Sequence, residues 1–167
     1  SQNGVSPALR SRPMQRAITG YHPDEAGDLV AELACGHGIH MRHHPPMTSR
    51  PWTLTPEGRA SMLGTAVECV RCDRFELPAG FAPYKRTPTF TEADVPAGLR
   101  AAHTTKAGVW ARIHVVEGAL RYCVEAPELP PQTLTPEAAG VVVAERPHRV
   151  ELVGPVRFYV EFYRRAD

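Results

Sequence analysis

The stretch A-C-G-H-G-I-H-M-R-H-H-P-P, residues 34–46, concentrates nitrogen and sulfur donors. One of the four cysteines and four of the eight histidines lie in it. Further on, E-C-V-R-C-D places Cys69 and Cys72 at a two-residue spacing. Cys-x-His followed at a distance by Cys-x-x-Cys offers four donors from two short bends, which is what a tetrahedral structural zinc site needs. Cys35, Cys69 and Cys72 are three candidate ligands; the fourth is His37, His40 or His43. A strand alternates its side chains and a bend at Gly38 resets that parity, so spacing leaves the fourth ligand open. Adjacent His43 and His44 face opposite ways in a strand, so at most one of them joins. With every corner filled by protein, the metal stabilises rather than catalyses, because no position remains for water. Such a site requires the three sulfurs to lie within ~4 Å of one another. The remaining histidines, with Arg42, Arg50 and Trp52, are candidates for a separate small-anion pocket.

The elements that must hold these donors are short. Strand signals run over 16–22 and 29–34, separated by the turn P-D-E-A-G, and an extended segment covers 39–44. Gly36 and Gly38 flank His37, where the backbone must bend sharply. Thr55-Pro56-Glu57 reads as a helix start, with Thr55 as the cap and Pro56 in the first turn, and Gly64 as its stop. A short strand over 66–68 leads into Cys69. Residues 14–76 thus form a β-rich module with one helix, too small to rely on an apolar core alone, a deficit that a metal makes up. Residues 1–13 are polar and aperiodic and read as a disordered leader; residues 77–84 read as a linker.

A strand is expected over 85–90, and from residue 101 the β signals repeat: strands are expected over 109–116, 120–125, 140–144, 148–152 and 156–163, with turns at Glu117-Gly118 and Val153-Gly154-Pro155. Short strands at this spacing predict a sandwich or small barrel over 85–167. Trp110, Arg112 and His114 share one strand parity, and Ala111, Ile113 and Val115 the other. If the aliphatic set faces out, His114 joins the barrel pocket; if it packs inside, His114 faces out. Glu161, between Tyr159 and Tyr163, is a second candidate inward group, and Cys123 reads as a core residue.

Composition narrows the function classes. A net charge of +1, from 19 basic and 18 acidic residues, gives no reason to expect a nucleic-acid partner. No apolar run approaches the ~20 residues of a membrane span. No secretory signal is visible, and Cys-x-x-Cys among histidines points to metal rather than disulfides, so the cytoplasm is the expected compartment. G-x-S-x-G, G-x-x-x-x-G-K and G-x-G-x-x-G are all absent from the sequence.

Two segments carry a family resemblance. P-A-G-L-R-A-A-H-T-T-K-A-G-V-W-A-R-I-H-V-V-E-G-A-L-R-Y resembles the first motif of a cupin, and L-T-P-E-A-A-G-V-V-V-A-E-R-P-H-R-V-E-L the second. H-T-T-K-A-G-V-W together with R-P-H-R-V is similar to the tellurite-resistance-related cupin family, over about residues 83–164. G-Y-H-P-D-E-A-G, C-G-H-G-I-H-M-R-H and C-V-R-C-D resemble an uncharacterised zinc-binding family sometimes fused to such cupins. The resemblance implies a mainly β chain in two parts: a zinc-stabilised module, then a single cupin-like β-barrel, or jelly roll. It implies a barrel mouth that holds a metal or a small ligand. His103 and His148 fall where the first and last histidine ligands of a metallocupin fall, but Thr105 replaces the second histidine and no Glu follows at the usual interval. Trp110, His114 and Glu161 complete the set of candidate pocket residues. The implied function is a cytoplasmic stress-response protein with structural zinc and a pocket for a metal or a small oxyanion-like or nitrogen-oxide-like ligand. The alternatives are a mononuclear metal enzyme (Fe, Mn, Ni or Zn) of the oxygenase type, or a haem protein. A homodimer is the expected assembly by resemblance.

Overall fold

The computed structural model describes residues 14–125 and 128–166. The expected leader, residues 1–13, lies outside the described residues. The described chain is mainly β, as expected, and divides into two units that meet in sequence at residues 74 and 75.

The N-terminal unit is a four-stranded antiparallel sheet. Its strands are β1 (Gln15–Pro23), β2 (Leu29–Leu33), β3 (Gly38–His40) and β4 (Ala66–Glu68), in the order β3-β2-β1-β4. A 3-10 turn (Pro51–Leu54) precedes helix α1 (Pro56–Ser61), and a one-turn helix α2 (Val70–Asp73) follows β4. Strand β1 organises the unit because both of its edges are paired. Ile18 lies opposite Leu33 on one side, and Gln15 opposite Glu68 on the other. The chain leaving β2 and the chain leaving β4 therefore emerge at the same end of the sheet. The buried apolar set of this unit is Ile18, Val30, Ala31, Leu33 and Met41 together with three cysteines. Few large side chains are among them, so burial alone stabilises this unit weakly.

Helix α1 begins as its sequence predicts. The Thr55 hydroxyl accepts from the Gly58 amide at 3.0 Å, and Pro56 occupies the first turn, where no intrahelical donor is needed. The Tyr21 hydroxyl donates to the Arg59 carbonyl at 2.8 Å, tying the helix to β1. Thr55→Ala is expected to lower the urea-unfolding free energy of this unit by about 1 kcal/mol. An unchanged urea midpoint would show that the cap contributes nothing.

The C-terminal unit is a six-stranded antiparallel sheet built on one long hairpin, β7 (Trp110–Val124) and β10 (His148–Arg165). β5 (Phe81–Arg86) and β6 (Phe90–Thr91) pair along β10, while β8 (Gln132–Leu134) and β9 (Gly140–Val142) pair along β7. A short helix α3 (Ala97–Arg100) precedes the hairpin. Two expected turns are corrected. Glu117-Gly118 and Val153-Gly154-Pro155 do not reverse the chain; they are irregularities in continuous strands, facing each other across the ladder at Val156 and Gly118. Gly118 has φ +80°, and a Cβ there would meet the Pro155 carbonyl, so only glycine allows this close approach. The bulge also changes parity. Ala111, Ile113 and Val115 before it, and Leu120, Tyr122 and Val124 after it, all enter one apolar core with Val150, Phe158 and Val160. β5 begins at Phe81, inside the stretch read as a linker, because β10 runs to Arg165 and offers its edge to it. β8, α2 and α3 were not expected from the sequence. No helix among the described residues is long and apolar enough to cross a membrane.

Candidate metal centre and cavity

Cys35 and His37 stand in the tight turn joining β2 to β3. The Gly36 amide donates to the Leu33 carbonyl at 2.9 Å, and the Leu33 amide to the His37 carbonyl at 2.9 Å. Gly36 takes φ +103°, which lets the residues either side of it turn inward together. Cys69 ends β4, its amide donating to the Met14 carbonyl at 2.9 Å, and Cys72 follows on α2. The Asp73 carboxylate accepts from the Met14 amide at 3.2 Å, fixing α2 to the start of β1.

These two bends bring four ligand atoms within 4.8 Å of one another, all in buried residues. The Cys35 and Cys69 sulfurs are 3.8 Å apart. His37 Nδ1 lies 3.4 Å from the sulfur of Cys35, 3.3 Å from that of Cys69 and 3.6 Å from that of Cys72. A tetrahedron with zinc–sulfur bonds of ~2.3 Å and zinc–nitrogen bonds of ~2.0 Å has edges of about 3.8 Å between sulfurs and about 3.5 Å between sulfur and nitrogen. The residues present therefore fit a structural metal such as zinc. Three soft thiolates with one imidazole favour zinc over hard, oxygen-preferring ions.

The electrostatics agree. Burial disfavours charge on His37, but its contacts with Cys35 and Cys69, and the negative charge those sulfurs carry as thiolates, outweigh burial and raise the imidazole to about 9. The Cys72 thiol is pushed up, first by its contacts with Cys35 and Cys69 and then by burial, because a further thiolate beside them is unfavourable. Such a cluster calls for a cation at its centre. Three thiolates and one Zn2+ would leave a net single negative charge, and the buried guanidinium of Arg16 favours the Cys72 thiolate from nearby.

The alternatives for the fourth ligand sit elsewhere. His40 Nε2 pairs with an Asp24 carboxylate oxygen at 2.8 Å, and His43 Nδ1 accepts from the Arg50 amide at 2.8 Å. The Arg50 guanidinium donates to the Arg42 carbonyl at 3.0 Å, so it braces this loop.

In the C-terminal unit, His103 and His148 come together. Each amide donates to the other's carbonyl at 3.0 Å, and the ring centroids are 4.1 Å apart. Both line a cavity of about 270 Å³ on the apolar face of the six-stranded sheet. In each ring Nδ1 lies against a backbone carbonyl, of Ala101 at 3.0 Å and of Arg146 at 2.9 Å. A carbonyl only accepts, so Nδ1 carries the proton and, in the neutral ring, Nε2 is an acceptor.

Trp110, His114 and Glu161 do not line this cavity, which corrects the expectation that they join the pocket. Ala111 and Ile113 line it, and strand parity turns their neighbours to the other face. There His114 Nε2 lies 3.1 Å from Glu161 Oε1, and the Tyr163 hydroxyl donates to the same oxygen at 2.7 Å. That bond, with His114 beside it, holds Glu161 below the usual carboxylate range. The same geometry lends no support to a second metal or a haem at this cavity. A mononuclear catalytic metal needs at least three protein ligands, whereas two imidazoles and no carboxylate line the cavity. The two rings touch each other, leaving no room for a macrocycle between them. Sequence reasoning missed Lys85, Thr104, Thr105 and Lys106 at this cavity. Three of these lie beside His103 in H-T-T-K, which was signal enough to include them.

Residues 19–76 match the family described as "Protein of unknown function (DUF3565)", and residues 85–160 match the family described as "TehB-like domain". Comparison with curated proteins finds no match. Among solved structures, a protein from E. coli (strain K12) superposes with a TM-score of 0.50 at 22% identity, over 54% of this chain and 96% of that one, which shows a shared fold. TehB from Haemophilus influenzae superposes with a TM-score of 0.49 at 25% identity, over 52% of this chain and 32% of that one. The chain thus joins a segment that matches DUF3565 to one that matches the TehB-like domain, and each matched segment falls almost wholly within one of the two structural units.

Proposed function

We propose that this is a metal-binding, cytoplasmic stress-response protein related to tellurite resistance. In this reading a zinc-stabilised N-terminal unit accompanies a cupin-like barrel whose cavity takes a small ligand at His103 and His148. The observation that carries the metal half is the match between the Cys35, His37, Cys69 and Cys72 separations and the edges of a zinc tetrahedron. The ligand half is supported by the cavity itself and by two imidazoles with their Nδ1 positions held by backbone. The stress association is supported by the match to a TehB-like domain.

Elemental analysis of the full chain tests the metal half. We expect one zinc per chain, unchanged in His103→Ala and His148→Ala. A second metal equivalent that these two variants lose would replace this reading with a metal-dependent enzyme. A chain without zinc when purified under reducing conditions would remove its first half.

A further inference from the structure

The cavity of the C-terminal unit is lined by groups of two chemical kinds. Its walls include Ile113, Val142, Val150, Phe158, Val160 and Phe162, all apolar. Its remaining lining groups include His103, His148, Lys85 and Lys106, and no carboxylate. Among the described residues, the charged side chains that line it are therefore two cations. The Lys85 ammonium stands 5.2 Å from the ring centroid of Phe162, within cation–π reach of the apolar wall, and Lys85 is exposed. At about 270 Å³ the cavity is just below the roughly 300–1,000 Å³ of pockets that hold drug-sized molecules.

Three kinds of occupant meet this lining differently. A divalent metal ion finds two imidazoles, no carboxylate and two ammonium groups that repel it. An inorganic oxyanion is attracted by the lysines, but entering an aliphatic chamber strips its hydration without enough hydrogen bonds in return. An organic anion satisfies both kinds: its body gains from burial against the walls, and its charge meets the lysines.

We propose that the cavity binds a small organic monoanion, an aryl or branched-alkyl carboxylate. Its apolar body packs among Ile113, Val150 and Phe158, and its carboxylate meets the lining ammonium groups of Lys85 and Lys106. This rests on the reading of the cavity as a ligand site and names the class of ligand. With Nδ1 held by a backbone carbonyl, each imidazole in its neutral form offers an acceptor at Nε2, which suits a ligand that also carries a hydroxyl.

The test titrates the full zinc-loaded chain with benzoate and with 4-methylpentanoate. Benzamide, sulfate and excess zinc are the comparison probes. Binding is read from the imidazole proton signals of His103 and His148, assigned by His103→Gln and His148→Gln. Both carboxylates are expected to shift these signals saturably, with benzamide and sulfate at least about tenfold weaker. The Lys85→Gln, Lys106→Gln double variant replaces exposed side chains and should keep the thermal midpoint while losing about tenfold in carboxylate affinity. Sulfate binding as tightly as benzoate, or benzamide matching benzoate, overturns the proposal. If sulfate or zinc moves the two histidines while neither carboxylate does, the ligand site stands and its assigned class falls. If no probe moves them, both fall.

Discussion

Cys69→Ser is expected to abolish zinc binding and unfold residues 14–74, while the six-stranded sheet of the C-terminal unit keeps its structure. Serine is close to cysteine in size, so the packing change by itself is small. What is lost is a thiolate that closes a four-donor shell. Structural zinc in small modules contributes an apparent ~10–16 kcal/mol at neutral pH, against a total stability of about 5–15 kcal/mol for an ordinary domain. The buried apolar residues of this unit, apart from the cysteines, are Ile18, Val30, Ala31, Leu33 and Met41, too few to replace that contribution. Amide spectra of the variant should therefore lose dispersion for residues 14–74 and retain it for β7 and β10. A strong chelator should do the same to the unaltered chain, and added zinc should restore it. Cys123→Ser is the control: its thiol is also buried and free, but it lies on β7 and outside the cluster. A Cys69→Ser chain that keeps a dispersed N-terminal spectrum without zinc would show that the sheet holds itself and that the cluster is only a set of packed thiols.

The donors of this centre were legible because their signals are local. Cys-x-x-Cys, and a cysteine and a histidine about one glycine, each describe a single bend. What joins the bends is not local. It is the pairing of β1 with both β2 and β4, which the short strand signals allowed but did not require. His40 and His43 could be set aside only once Asp24 and the Arg50 amide were seen to hold them. In the second half, the parity argument for His114 stated the right alternatives. The deciding fact was which face the aliphatic set packs, and a bulge at Gly118 that switches parity partway along β7 blurs that pattern in the sequence. Glycine and proline at 118, 154 and 155 carry the same residue chemistry in a turn as in a bulge. Two continuous strands therefore look like four in the sequence. The cavity was the least legible feature, since its lining side chains come from segments spread between residues 84 and 162.

Acidification is expected to destabilise the C-terminal unit, with His148 contributing about 3 kcal/mol of the change between pH 7 and pH 4. Burial is the main cause: it strips water from the imidazolium form and, with His103 alongside, lowers the ring to about 4 despite the bond to the Arg146 carbonyl. In the unfolded chain the same ring titrates near its ordinary value of 6.5. As pH falls below 6.5 the unfolded state takes up a proton that the folded state refuses until about 4. The stabilisation is thus fully present above the unfolded value and lost as pH falls through the folded one. The gap between the two values is worth about 3 kcal/mol, and His148 is only 4% exposed, so solvent screening takes little from it. Carboxylates and the metal centre also respond to acid. The measurement is therefore a difference: unfolding free energies of the unaltered chain and of His148→Gln, compared from pH 7 to pH 4 by amide exchange in β7 and β10. The two curves should converge by about 3 kcal/mol as pH falls. Parallel curves would mean that the folded ring takes up its proton as readily as the unfolded one, so that burial does not hold it neutral.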